Sequence, residues 1–250
     1  MRYTDLVFDL YGTLIDIHTE KTDLVWEKTA LFFGLYGAHY TPKELKDGFQ
    51  RELARRKEEA CLGSDSFPDI PYEQVMGSLF RAKGVENGDA LGFHATQLLR
   101  VCSMDYIRLY PDAKKALGLL RQKGFRIWLL SNAQRAFTAY ELRLLEMEDL
   151  FDGIYLSSDY GCVKPDERFY RALLQDRDLD PGHCLMIGND RQTDIAGARK
   201  AGMATLYMHT ALTPSDQAPA DPALHPAIAK EMGHWEYEGD DWFDLVQYLR

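Results

Sequence analysis

The chain has 250 residues, enough for one large domain or for a core domain that carries a sizeable insertion. Its formal net charge is -10, whereas nucleic acids and anionic membranes bind basic surfaces. We therefore expect neither as a partner, although a small phosphorylated substrate remains compatible because it needs only one or two local cations.

The four cysteines are scattered and include no C-x-x-C pair, which favours reduced thiols over disulfides or a zinc site. No window is apolar enough for a membrane span, and no long apolar segment precedes the first predicted strand. We expect a soluble cytoplasmic protein. The sequence leaves its oligomeric state open.

The first predicted element is a buried strand at residues 6–10, and helical patterns follow without a clear strand from about 16 to 108. The segment 41–60 begins with Thr41 as helix cap, Pro42 in the first turn and Glu44 completing a capping box. Further helices are predicted at 71–84 and 90–109. We therefore predict a helical cap domain, residues 16–108, inserted into a core formed by 1–15 and 109–250.

Short apolar runs alternate with helical patterns after residue 109, and this order is typical of right-handed βαβ units in a parallel sheet. We also expect an irregular connector at 213–226, an edge strand at 234–239 and a closing helix at 241–250. The remaining predicted strands are 125–130, 153–157, 184–188 and 204–208, and the predicted helices between them are 111–124, 135–148, 165–178 and 194–202.

Polar residues follow several predicted strands, and ligands of open parallel sheets bind at the carboxyl ends of the strands. A carboxylate there can attack phosphorus, a lysine can neutralise the two anions that must meet, and oxygen ligands can hold a hard cation. Hydroxyls and backbone N–H groups can hold the other phosphate oxygens. The strand-end residues are Asp9, Ser131, Asn132, Lys164, Asn189, Asp190 and Asp194.

Four segments in this order resemble the haloacid dehalogenase-like hydrolase superfamily: DLYGTL (9–14), LLSNA (129–133), VKPDERFY (163–170) and IGNDRQTDIAGARKAGM (187–203). The resemblance implies a Rossmann-like, three-layer α/β/α core with a helical cap that closes over the site. It also implies Asp9 as nucleophile and Mg²⁺ bound by Asp9, by the backbone carbonyl of Tyr11 and by an acid of the fourth segment. Most members of this superfamily are phosphatases.

Two positions depart from the usual phosphatase pattern. Tyr11 replaces the second aspartate, and a tyrosine with a pKa of about 10 can donate a proton at neutral pH but is a poor base. Gly188-Asn189-Asp190 replaces Gly-Asp, so either Asp190 or Asp194 is open as the metal-binding acid. A tyrosine at position 11 is similar to the pattern of the 2-haloacid dehalogenases. Those enzymes also carry an arginine soon after the first segment, and this chain has none there. The nearest arginines of the cap are Arg51, Arg55 and Arg56.

The leading hypothesis is a Mg²⁺-dependent phosphatase that acts on a small phosphorylated metabolite through an aspartyl-phosphate. The alternatives are a metal-independent 2-haloacid dehalogenase and a metabolite-binding protein with little or no turnover. We assign roles under the leading hypothesis as follows: catalysis by Asp9, Tyr11, Thr13 and Lys164; phosphate binding by Gly12, Thr13, Ser131, Asn132 and Lys164; metal binding by Asp9, Tyr11, Asn189, Asp190 and Asp194.

Overall fold

The computed structural model describes residues 3–63, 66–210, 212, 234–238 and 242–249, so the predicted connector 213–226 lies wholly outside the described residues. The elements in chain order are β1 (Asp5–Phe8), β2 (Ile15–Thr19), α1 (Asp23–Leu35), α2 (Pro42–Ala60), α3 (Tyr72–Ala82), α4 (Gly88–Ser103), β3 (Met104–Leu109), α5 (Ala113–Gln122), β4 (Arg126–Ser131), α6 (Arg135–Leu144), β5 (Gly153–Leu156), α7 (Ser157–Tyr160), α8 (Glu167–Asp176), β6 (Cys184–Gly188), α9 (Gly197–Lys200), β7 (Ala204–His209), β8 (His234–Glu238) and α10 (Trp242–Tyr248). A π-helical turn, Arg191–Ala196, precedes α9.

The central sheet is parallel and has the strand order β5-β4-β1-β6-β7-β8. Its central strands β1, β4 and β6 are buried and largely apolar because both faces of the sheet are covered. Leu6 and Phe8 of β1 join the cluster that contains side chains of α5 and α10, whereas Val7 joins the cluster of α8 and α9 on the other face. The predicted three-layer α/β/α core is therefore confirmed.

An antiparallel pair, β2 with β3, stands at the two ends of the helical insertion. The expectation of no strand between 16 and 108, and of a helix continuing to 109, was wrong here. Ile17 lies opposite Ile107 and Ile15 opposite Leu109, and such apolar cross-strand pairs stabilise a two-stranded ribbon. Ile107 and Leu109 of β3 are two residues apart, which is the strand spacing that the helical interpretation missed.

Helices α1 to α4 enclose an apolar cluster of their own, separate from the two clusters on the sheet. Phe33 and Phe80 stack at its centre with ring centroids 3.7 Å apart. The predicted capping box of α2 is present, since Glu44 N donates to Thr41 Oγ1 (3.2 Å) and Thr41 N donates to Glu44 Oε2 (2.8 Å). This separate cluster supports the predicted division at residues 16–108, which stays a prediction. No described helix combines the length and apolarity needed to cross a bilayer.

Candidate active site

A buried ion cluster lies at the carboxyl edge of the sheet. Lys164 Nζ donates to Asp9 Oδ1 at 2.7 Å, to Asp194 Oδ1 at 2.6 Å and to the carbonyl oxygen of Leu130 at 2.8 Å. The three acceptors use all three protons of the ammonium. The loops that follow β1 and β6 thus meet the loop between α7 and α8 at this one cation.

One buried cation faces two buried carboxylates in this cluster. Burial is the largest influence on Lys164 and lowers its pKa, but the negative charges of Asp194 and Asp9 outweigh it and hold the pKa above its ordinary value. Burial also raises the pKa of the Asp194 carboxyl, while Lys164 acts in the opposite direction. With both acids ionised the cluster keeps a net negative charge, which favours a further cation.

The turn after β1 brings Thr13 to the nucleophile candidate. Gly12 has a φ of 82°, a conformation that glycine adopts without strain. Beyond it, Thr13 Oγ1 lies 3.4 Å from Asp9 Oδ2 and 3.2 Å from Asn189 Oδ1. A Cβ atom at residue 12 would lie only 2.4 Å from Asn189 Nδ2. The turn therefore requires glycine both for its backbone and for its close approach to the loop after β6.

Gly12→Ala is expected to destabilise the protein more than Gly37→Ala. Gly37 has nearly the same φ, 83°, but no heavy atom within 4 Å of an added Cβ. Gly37→Ala should lower the free energy of unfolding by about 1–2 kcal/mol, because alanine is strained in the left-handed region. Gly12→Ala should lower it by about 1–3 kcal/mol more, because the added Cβ also overlaps Asn189. Urea unfolding of the two variants measures the difference, and equal losses would contradict this account of the turn.

Ser131 is the last residue of β4, and Asn132 follows it at the same edge of the sheet. Asn132 Oδ1 accepts a hydrogen bond from Lys164 N at 2.7 Å, and Asn132 Nδ2 donates to the carbonyl oxygen of Lys164 at 3.1 Å. Asn132 therefore fixes the backbone that carries the lysine. Ser131 is buried and lines the cavity beside Asp9. Phosphate binding by Gly12, Thr13, Ser131 and Asn132 stays a prediction.

The acids after β6 take different positions. Asp194 is buried, and its Oδ2 accepts from Asp190 N at 3.0 Å while its Oδ1 accepts from Lys164. Asp190 is half-buried, and its Oδ1 caps the π-helical turn by accepting from the backbone of Gln192 (2.7 Å) and Thr193 (3.0 Å). Asn189 Nδ2 donates to the carbonyl oxygen of Leu212 at 3.2 Å. Both oxygens of Asp194 thus accept hydrogen bonds, one of them from Lys164. Among the described residues, the hydrogen bonds of the Asp190 carboxylate use only its Oδ1.

The oxygen atoms around Asp9 fit a magnesium ion. A cavity of about 240 Å³ is lined by Asp9, Asn189, Asp190 and Asp194. Within the described ranges, no three His, Cys, Asp or Glu side chains gather in a metal-binding group. Mg²⁺ however is commonly held by one or two carboxylates, with waters and substrate phosphate completing its shell, and this donor set can supply that number.

Tyr11 points toward α6 through its hydroxyl, which contacts Thr138 Oγ1 at 2.8 Å and donates to the Glu141 carboxylate. Burial, followed by the charge of Glu141, raises the pKa of Tyr11 above its ordinary value. A tyrosine with a raised pKa is a weaker acid than a free phenol. The geometry therefore gives Tyr11 a structural bond to α6 and weakens its predicted catalytic role as a proton donor.

Arg100 of α4 is the residue that the sequence analysis missed. Its guanidinium donates to Glu141 through Nε (2.5 Å) and NH2 (3.1 Å), and its Cζ lies 5.2 Å from the ring centre of Tyr11. Thr96, Arg100 and Ser103 form a polar stripe at helical spacing on a largely apolar helix, and this was the available signal. By contrast, Arg55 pairs with Glu52 and Glu59 on the exposed face of α2.

A second cavity of about 360 Å³ lies between the helical insertion and the sheet. Tyr11 and Asn132 line both this cavity and the one beside Asp9, so the two share a wall. The insertion is held to the core on both sides of the larger cavity. On one side, Val163 N donates to the carbonyl oxygen of Phe67 at 2.8 Å; on the other, Gln97 Nε2 donates to that of Ala136 at 3.1 Å.

Comparisons with known proteins found similar sequences and similar folds. A family model described as haloacid dehalogenase-like hydrolase matches residues 6–202. Glyceraldehyde 3-phosphate phosphatase of Pyrococcus abyssi is 29% identical over 205 residues, which cover 81% of this chain and 79% of that protein. N-acylneuraminate-9-phosphatase of Rattus norvegicus is 25% identical over 211 residues, 83% of each chain. A solved 2-haloacid dehalogenase from Pseudomonas syringae pv. Tomato DC3000 has the same fold, with a TM-score of 0.64 and 19% identity, covering 99% of this chain and 98% of that chain.

Proposed function

The chain belongs to the haloacid dehalogenase-like hydrolases and is an enzyme of that family, and on this premise we propose that it is a phosphatase of small phosphorylated metabolites. The observation that carries the proposal is the pairing of Asp9 with the buried Lys164 at 2.7 Å in a cavity lined by oxygen donors. The named phosphatases among the relatives support the same reaction class.

In the proposed reaction a carboxylate oxygen of Asp9 attacks phosphorus, and the bond from phosphorus to the ester oxygen breaks. The leaving oxygen takes a proton from solvent water and departs as the alcohol. Water then cleaves the aspartyl-phosphate, which releases phosphate and restores the carboxylate. Lys164 compensates the negative charge of both the carboxylate and the incoming phosphate. Thr13 and Ser131 would donate to phosphate oxygens; in support, Thr13 contacts Asp9 and Ser131 lines the cavity beside it.

We further propose Mg²⁺ as the cofactor, with Asp9, the carbonyl of Tyr11, Asn189 and Asp190 as its ligands. Asp190 is preferred to Asp194 because both oxygens of Asp194 already accept hydrogen bonds from Lys164 and Asp190 N. The bound ion would supply additional positive charge for the phosphate. The family is one in which Mg²⁺ is the usual cofactor, and the oxygen-only donor set suits a hard cation.

Phosphate release from a panel of phosphate monoesters, measured with Mg²⁺ and with EDTA, tests the proposal. We expect release only with Mg²⁺. Chloride release from 2-chloropropionate is measured in parallel under both conditions. Halide release that persists in EDTA, without phosphate release from any ester, would overturn the phosphatase assignment.

Leaving-group dependence gives a second expected result. Aryl phosphates should turn over faster than alkyl phosphates, because Tyr11 replaces the usual acid and its hydroxyl is bound by Glu141 and Thr138. Tyr11→Phe should leave the ratio of aryl to alkyl rates unchanged if the hydroxyl donates no proton to the leaving group. A selective loss of alkyl phosphate turnover in Tyr11→Phe, measured in single-turnover assays, would instead make Tyr11 the acid.

Arg100 favours a 2-haloacid dehalogenase as the second candidate function. Its guanidinium lines the cavity next to Tyr11 and supplies a cation near the first motif, although Glu141 already compensates its charge. In that reaction Asp9 would attack the halogen-bearing carbon, halide would leave, and water would hydrolyse the ester. The chloride assay above, repeated with Arg100→Met, decides whether this cation serves such a reaction.

A further inference from the structure

The cavity between the helical insertion and the sheet adjoins the nucleophile cavity, because Tyr11 and Asn132 line both. Its volume of about 360 Å³ lies at the small end of the range for small-molecule sites. Tyr72 and Phe137 contribute ring surfaces to its wall, and Lys21 and Arg100 contribute cations. A metabolite whose phosphoryl group reached Asp9 would extend past Tyr11 and Asn132 into this space, because those residues line both cavities.

The charged side chains of this cavity differ in whether they have hydrogen-bonding or ion-pair partners within the protein. Asp69 accepts from Ser157 Oγ at 2.6 Å and from Gln134 Nε2 at 2.9 Å, so hydrogen bonds hold both of its oxygens. Arg100 is paired with Glu141 on α6. These two charges therefore have protein partners. Two further cations line the cavity, Lys21 and Lys57. The charge of Lys57 acts on Asp69, where it opposes the rise in pKa that burial causes, whereas Lys21 has different neighbours.

The ammonium of Lys21 lies 5.1 Å from the ring centre of Tyr72. It is repelled by the positive charge of Arg100. Although the residue as a whole is exposed, desolvation of its ammonium, followed by Arg100, lowers the pKa of Lys21. No described carboxylate forms an ion pair with Lys21, and none contributes to this shift. An anion bound here would relieve the repulsion between the two cations.

We propose that the substrate carries a second anionic group, a carboxylate or a second phosphate, which Lys21 binds while the transferred phosphoryl group lies at Asp9. This inference rests on the proposed phosphatase function and specifies its substrate class. Tyr72 and Phe137 line the same cavity and provide apolar surface for a short carbon chain.

Matched substrate pairs test the proposal. The first pair is 3-phosphoglycerate against glycerol 3-phosphate, and the second is fructose 1,6-bisphosphate against fructose 6-phosphate; these distinguish a carboxylate from a phosphate as the second anion. We expect kcat/KM to favour the member with the second anionic group in at least one pair by about tenfold or more, the size of one charge-assisted hydrogen bond. Lys21→Met should lower this ratio about tenfold, and Lys21→Arg should restore part of it.

Lys28→Met is the matched control, because Lys28 is an exposed lysine of α1 that does not line the cavity. Its preference ratio should equal that of the wild type. Binding of the same pairs to the Asp9→Asn variant, measured calorimetrically with Mg²⁺ present, gives a readout that needs no turnover. If the protein releases no phosphate but still binds one member of a pair more tightly in a way that depends on Lys21, the phosphatase function is rejected and the substrate class stands. Equal binding of both members of each pair, absent binding, or a ratio unaffected by Lys21→Met would overturn the substrate class.

Discussion

Asp9→Asn is expected to lower phosphate release by at least about 10³-fold, because an amide oxygen cannot act as the attacking nucleophile. Stability should change little. Lys164 would keep Asp194 and the carbonyl of Leu130 as partners, and the asparagine Oδ1 could still accept from it. The expected signature is thus a folded protein without turnover. Acid quenching of the wild type during turnover should also yield protein heavier by one phosphoryl group, and this species should be missing from Asp9→Asn.

Asp16→Asn is the matched control for this variant. Asp16 is also a buried aspartate, but it accepts from Tyr106 and Arg108 within the β2–β3 ribbon. Its replacement removes a carboxylate of similar burial outside the cavity beside Asp9. We expect Asp16→Asn to keep most of the phosphate release. More than a tenth of wild-type release in Asp9→Asn, or a phosphorylated intermediate in that variant, would contradict the role of Asp9.

The meeting of the strand-end residues could be predicted because it depends on topology. β1 lies between β4 and β6 in the sheet, so Asp9, Ser131 and Asn189 lie at the carboxyl ends of strands that are hydrogen-bonded neighbours. The carboxyl ends of parallel strands necessarily share one edge. The apolar runs and their spacing contain that information.

Pairings between helices could not be predicted in the same way. Arg100 and Glu141 lie 41 positions apart, on α4 and α6, and their contact depends on how the insertion docks on the sheet. The different tasks of Asp190 and Asp194 depend on the π-helical turn, in which one acid caps the backbone and the other faces Lys164. Spacing along the chain places both acids near the site but does not determine where their oxygens point.

Lys164→Met is expected to affect both stability and catalysis. Removing the ammonium leaves Asp9 and Asp194 buried without their cation, and loss of one partner of a buried ion pair typically costs about 3–5 kcal/mol. Phosphate release should fall by about 10²–10³-fold, because positive charge at the attacked phosphate is lost. Chemical unfolding measures the first effect, and initial rates at saturating Mg²⁺ measure the second.

A double variant separates these two consequences. Lys164→Met combined with Asp194→Asn removes one of the two carboxylates that repel each other, so it should regain part of the lost free energy of unfolding. It should not regain phosphate release, because no cation has been returned to Asp9. If the double variant is no more stable than Lys164→Met alone, the two acids are not held together by the lysine charge. If it recovers phosphate release, Lys164 has acted only by holding the fold, and the neutralisation of Asp9 and phosphate must come from elsewhere.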